Sequence, residues 1–144
     1  MIELGTFNKN VFNEIINNPE NWRGYTCGSP AEGMPYKDIS NTEFILKILK
    51  DWYDIKRIKW AKAHKMPPKT GISLHQDGKE GENCHVIHMV AKTNSNVIFC
   101  LNDEFLKMEE GKVYEIDNTL PHYVKNNGDT DRIHVMLVLE GYLK

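Results

Sequence analysis

From about residue 56 to the C-terminus the hydrophobic pattern has a period of two, interrupted at short intervals by polar turns. The segments RIKWAKA, GISLHQD, HVIHMVA, NVIFCL, KVYEI, HYVKN and RIHVMLVLE read as strands, and KTNSN, LNDE and NNGDTD as turns between them. Such a chain must bury one face of each strand against another layer, which restricts it to a few architectures. Seven or eight short strands at this spacing predict a β-sandwich or jelly roll. The last segment is apolar on both faces, so it belongs in the centre of a sheet with helices over one side.

The first third reads as helical. Asn8 is a plausible cap; Val11, Phe12, Ile15 and Ile16 follow at helical spacing, and Pro19 ends the run. A Gly- and Pro-rich stretch, NPENWRGYTCGSPAEGMPYKD, follows as a loop. SNTE then has the form of a capping box, Ser40 with Glu43, opening a helix with Phe44, Ile45, Ile48, Leu49 and Trp52 on one face. The expected organisation is a single domain over 1–144, with a helical part (1–55) packed on a jelly-roll core (56–144).

A formal net charge of −2 disfavours nucleic acid as a partner. Eight basic residues crowd between Lys47 and Lys69 with Trp52, Tyr53 and Trp60 among them, a pattern that reads as a solvated helix face and the outer face of an edge strand. No apolar run reaches the roughly 20 residues that span a bilayer. MIELGTFNKN lacks a secretory pattern, and Cys27, Cys84 and Cys100 form no CxxC pair, so the expected compartment is the cytoplasm. Oligomeric state is not readable.

Alternation along GISLHQD puts Ser73, His75 and Asp77 on one face, where an imidazole and a carboxylate bind one cation from adjacent corners. His122, after a turn and at the start of a strand, supplies a second imidazole. Two histidines and one carboxylate on one side of an octahedral ion are the facial triad of non-haem Fe(II) oxygenases, which leaves the opposite side open. A structural zinc site would fill every position with protein ligands. Arg132 opens the last strand and by parity shares a face with His134 and Met136; a buried guanidinium there needs an anion, either an internal carboxylate or a bound dicarboxylate.

Taken in order, HQD at 75–77, His122 and Arg132 resemble the Fe(II)/2-oxoglutarate-dependent dioxygenases, in particular the aspartyl/asparaginyl β-hydroxylase-like and free-proline hydroxylase-like group. The resemblance covers about residues 66–140 and includes HVIHMVAKTN and GKVYEIDNTLPHYVKNNGDTDRIH. It implies a double-stranded β-helix, Fe(II) held by His75, Asp77 and His122, and Arg132 paired with the distal carboxylate of 2-oxoglutarate. It further implies O2 as oxidant, succinate and carbon dioxide as products of the co-substrate, and hydroxylation of an unactivated C–H in an amino acid, peptide side chain or small metabolite. The group commonly carries an arginine two residues before a co-substrate histidine in the strand after HxD. Here His88 holds the histidine position and Val86 the arginine position, so the pocket has one cation fewer, and His85 faces the other way.

Two other readings fit the same residues. A cupin-type metal protein without 2-oxoglutarate is favoured by LPHYVKN, a histidine followed by an asparagine four residues on, and opposed by HQD where HxH is wanted. A non-catalytic β-sandwich binding module would use the polar cluster as a structural network. Cys84 with His88 reads as a packed thiol and a core histidine rather than a soft-metal site, His134 as a pocket or core histidine, and His64 as a surface residue. Trp22, Arg23 and Tyr36 lie in the long loop, which in a jelly roll is placed to act as a lid.

Overall fold

The computed structural model describes residues 1–26 and 28–144. In chain order the strands are β1 (Ile2–Thr6), β2 (Arg23–Gly24), β3 (Pro35–Asp38), β4 (Tyr53–Met66), β5 (Thr70–His75), β6 (Cys84–Lys92), β7 (Val97–Leu101), β8 (Glu104–Leu106), β9 (Lys112–Glu115), β10 (His122–Asn126) and β11 (Arg132–Leu143). They form a large sheet in the order β1-β9-β6-β11-β4-β3-β2 and a smaller one in the order β5-β10-β7-β8. All the pairings between these strands are antiparallel, and the two sheets face each other as a double-stranded β-helix, a jelly roll with N-terminal helices. No helix among the described residues is long and apolar enough to cross a membrane.

The period-two pattern explains the two cores. On β11, Ile133, Val135, Leu137 and Leu139 point away from the barrel and are buried with Phe12, Ile45 and Leu49. On the inner side, Val90, Phe99, Tyr114 and Val124 fill the space between the sheets. β11 lies between β4 and β6, the central place expected of a strand apolar on both faces.

The helical reading of the first third is corrected in part. A short 3-10 turn (Lys9–Phe12), begun by Asn8 accepting from the Asn10 amide, leads into α1 (Asn13–Asn17), and α2 spans Glu43–Leu49. Yet β1, β2 and β3 also belong to this part, because both edges of the large sheet offer unpaired backbone groups that the chain returns to satisfy. The capping box does not form. The Ile39 amide donates to the Ala61 carbonyl (2.9 Å), prolonging the extended backbone, and the helix starts later, with Asn41 Oδ1 accepting from the Glu43 amide at 3.3 Å.

Two further corrections concern strands. LNDE is a turn and the start of a strand together: Asn102 and Asp103 adopt positive φ (50° and 66°), the two-residue geometry that closes a hairpin between β7 and β8. β4 is an edge strand only in its first half, since β3 pairs with it at Lys62–His64. Cys84 and Cys100 are free thiols, and Cys27 lies outside the described residues.

Candidate active site

His75 is the last residue of β5 and His122 the first of β10, and the two are direct partners across that ladder. Their rings lie 4.2 Å apart, centroid to centroid. Asp77 sits just past the strand end, so its placement comes from the loop rather than from alternation. Its amide donates to the Asn118 carbonyl (3.0 Å), and Asn118 Nδ2 donates to Asp77 Oδ2 (3.2 Å). Asp77 Oδ2 is 3.3 Å from His122 Nε2, and Oδ1 is 3.7 Å from His75 Nε2. One donor atom from each of the three residues lies within 4.8 Å of the others, close enough to grip one ion.

Backbone carbonyls fix the tautomers. His75 Nδ1 donates to the Ser73 carbonyl (2.7 Å) and His122 Nδ1 to the Leu120 carbonyl (2.8 Å). A carbonyl only accepts, so each Nδ1 carries the hydrogen and, in the neutral ring, each Nε2 lone pair is free for a cation, the usual outer arrangement of metal-binding histidine. When the His122 ring is protonated its Nε2–H donates to Asp77, and this bond holds the Asp77 carboxyl below its ordinary range despite partial burial, helped by the nearby His75 and by Asn118. Burial lowers His122, but its bonds to Asp77 and Leu120 outweigh that and raise it overall.

A second cluster lies deeper. Arg132 is buried, 3 % exposed, and Nη2 donates to His134 Nδ1 at 3.1 Å. His88 Nδ1 is also 3.1 Å from that nitrogen. Arginine cannot accept, so His134 Nδ1 is the acceptor and His88 Nδ1 the second donor, which leaves His88 Nε2 bare. Burial, then the charge of Arg132, holds both histidines well below their ordinary value. Burial pushes Arg132 itself down to about 9, still charged at neutral pH. Its Nε has no hydrogen-bond partner among the described residues, and no carboxylate pairs with it there. A charged, buried N–H without an acceptor fits a missing anionic partner, which is what a bound dicarboxylate provides.

Both clusters border one cavity of about 330 Å³, lined among others by His75, Asp77, His88, His122 and Arg132. Val86 is buried, and His85 turns away to Glu115 (2.6 Å) and the Gly141 carbonyl (3.1 Å), as alternation requires. Asn126, the asparagine of the cupin-like spacing, is fully buried and donates to the Met66 and Thr130 carbonyls, a loop-fixing role.

His64 corrects its reading as a surface residue. It lines the cavity, where burial and then the charges of Arg132 and Lys62 bring it down to about 3. Sequence reasoning also missed Tyr25 and Asn118, and the reading of Trp60 and Lys62 as part of an outer strand face is corrected, since both line the cavity. The signal for β4 was present in WAKAHKM, where large residues alternate with the two alanines. Ala61 and Ala63 are buried under the helices, so Trp60, Lys62, His64 and Met66 face the cavity. The long loop does reach the cavity, through Tyr25, Ser29, Pro30, Ala31 and Met34. Trp22 instead packs on the helical core, and Arg23 pairs with Tyr36 in the β2–β3 ladder.

Fold and site together define a jelly-roll protein with two histidines and an aspartate converging on one point of its inter-sheet cavity. The sequence profile of the aspartyl/asparaginyl beta-hydroxylases matches residues 35–140, and the chain belongs to that family. No curated protein matches it in sequence. In fold it is similar to a prolyl-4-hydroxylase from Pseudomonas putida, at 10 % identity and a TM-score of 0.65, covering 96 % of this chain and 91 % of the other. KdgF from Halomonas sp. (14 % identity, TM-score 0.52, 86 % and 89 % covered) has a similar fold. So does a protein described as a predicted oxalate decarboxylase from Thermotoga maritima (16 %, 0.52, 83 % and 90 %).

Proposed function

We propose that the protein is an Fe(II)- and 2-oxoglutarate-dependent oxygenase that hydroxylates an unactivated C–H of an amino acid, peptide side chain or small metabolite. In this reading His75, Asp77 and His122 hold the metal, Arg132 takes the distal carboxylate of 2-oxoglutarate, and His88 borders the co-substrate. The observation that carries it is the pairing of three donor atoms within 4.8 Å of one another with a buried arginine whose Nε lacks an acceptor, on the wall of the same cavity. Family membership supports the hydroxylase assignment.

Iron bound there, with O2 as oxidant and 2-oxoglutarate as co-reductant, would supply the oxidising power for C–H cleavage, which side chains alone do not have. The chain's own residues do the rest. Ser73 and Leu120 hold the two imidazoles with Nε2 inward, and Asn118 orients the Asp77 carboxylate. Three protein donors converge among the described residues, which leaves room for exchangeable ligands, unlike a closed structural zinc site. Phe99 lies parallel to His122 (centroids 6.3 Å apart) and beneath the Arg132 guanidinium (5.9 Å), an apolar ring beside both the triad and the arginine.

The test is an anaerobic titration with Fe(II) and then 2-oxoglutarate. A visible metal-to-ligand absorption band that appears only with both, and is lost in Asp77→Ala, is the expected result. Iron bound with no such band at saturating 2-oxoglutarate would remove 2-oxoglutarate from the reading.

A further inference from the structure

At the rim of the same cavity the structure builds a feature that the metal and co-substrate do not use. Tyr36 stacks on Tyr25 (4.4 Å between centroids), and Tyr25 stacks on His64 (5.4 Å) with its hydroxyl 3.1 Å from His64 Nε2. Against this stack stands Lys62. Its Nζ lies 5.2 Å from the Trp60 ring centroid, 5.3 Å from Tyr36 and 5.9 Å from Tyr25. Aromatic faces steady a cation electrostatically, but they do not neutralise it.

Lys62 has no carboxylate in ion-pair contact among the described residues. Asp38, its partner across the β3–β4 ladder, forms no ion pair with it. The cavity wall carries two acids, Asp77 and Glu80. Asp77 belongs to the donor triad, and Glu80 pairs with Lys59 (3.9 Å). The cavity therefore presents an ammonium set among three rings, whose N–H donors have no carboxylate partner among the described residues. A surface lysine that only shields apolar area needs no such frame.

We propose that Lys62, held in the Tyr25–Tyr36–Trp60 frame, is the receptor for a carboxylate on the molecule to be hydroxylated, and so a specificity-determining residue. This rests on the hydroxylase reading given above. The substrate class is a small molecule with a free carboxylate, since a cavity of about 330 Å³ shared with the co-substrate leaves room only for a small ligand. A single ammonium suits a monoanion; a phosphate dianion calls for a denser set of donors.

The experiment uses the full chain, alone and then with Mn(II) and saturating 2-oxoglutarate to occupy Arg132. It is titrated with N-acetylglycine, N-acetylproline and N-acetylleucine and with their carboxamides, following tryptophan fluorescence, to which Trp60 contributes beside Lys62. At least one acid binds about ten-fold tighter than its amide, the worth of one hydrogen bond to a charged group. Lys62→Met keeps the stem and loses that preference, Lys62→Arg keeps it, and both variants melt as the wild type does. Equal affinity of acid and amide, no binding of either, or a preference that survives Lys62→Met overturns the proposal. Failure of the hydroxylase reading looks different: Mn(II) and 2-oxoglutarate then leave the wild-type melting temperature unchanged, whatever the acid preference of the chain alone.

Discussion

His75 and His122 face each other across the first rung of the β5–β10 ladder, with ring centroids 4.2 Å apart. Strand register, not a local motif, therefore sets the spacing of the two imidazoles. Two strand ends meet at one rung, and the loop after His75 swings Asp77 back over the gap.

The triad is expected to bind a divalent cation as a unit. Mn(II) at about 100 times its dissociation constant should stabilise the wild type by about 2.7 kcal/mol, visible as a rise in melting temperature. Asp77→Asn keeps the shape and the Asn118 contact but removes the charge, and the rise should largely vanish. A full rise in Asp77→Asn would mean that the ion binds elsewhere.

Arg132 should behave oppositely for stability and for binding. Its guanidinium is buried with Nε unpartnered, so Arg132→Met is expected to leave the metal-free protein as stable as the wild type or more so. The same change should weaken 2-oxoglutarate binding by 100-fold or more, since a charge-assisted pair is lost. Urea unfolding and calorimetric titration read the two effects separately. Marked destabilisation of the metal-free chain would show that Arg132 serves the fold instead.

Gly71 sets how closely β5 approaches β10. A Cβ at this position would meet the Val124 carbonyl oxygen at 2.7 Å, so Gly71→Ala must push the strands apart. The expected cost is about 1–3 kcal/mol. Because His75 ends the displaced strand, Mn(II) affinity should fall in the same variant although no donor atom has changed. Unchanged metal affinity in a destabilised variant would separate the ladder from the site.

Acid should unfold the protein through its buried neutral histidines. His64 faces Tyr25, Tyr36, Lys62, His134 and Arg132, and is brought from 6.5 to about 3 by burial first and then by the two cations. His88 and His134 are lowered in the same direction. Below about pH 6.5 the unfolded chain takes up protons that the folded one refuses. Stability from these groups is therefore full above that pH and falls as pH drops, by about 1.4 kcal/mol per pH unit for each histidine. Urea midpoints between pH 7 and pH 5 measure the slope, and His64→Phe should reduce it by one histidine's share.

Much of the architecture is written in local pattern. Alternation from residue 56 onward requires stacked sheets, the doubly apolar β11 requires a central place, and Phe44, Ile45, Ile48 and Leu49 require a helix packed on a sheet. The sequence order of HQD, His122 and Arg132 likewise singles out the residues of the cavity. The architecture is legible because the period of the side chains is fixed by the backbone itself, and the site residues because their types and order resemble a family pattern. The tertiary structure decided the rest. Asp77 meets the histidines by a loop tethered to Asn118, 41 residues away. His64 and Lys62 turn inward because Ala61 and Ala63 are small enough to lie under the helices. Arg132 meets histidines and, among the described residues, no internal carboxylate, which of its two expected anions leaves the bound dicarboxylate. The stretch between α1 and α2 adds two strands to a sheet edge. Each of these depends on which distant backbone completes the hydrogen bonds of a strand, and no local run of residues contains that information.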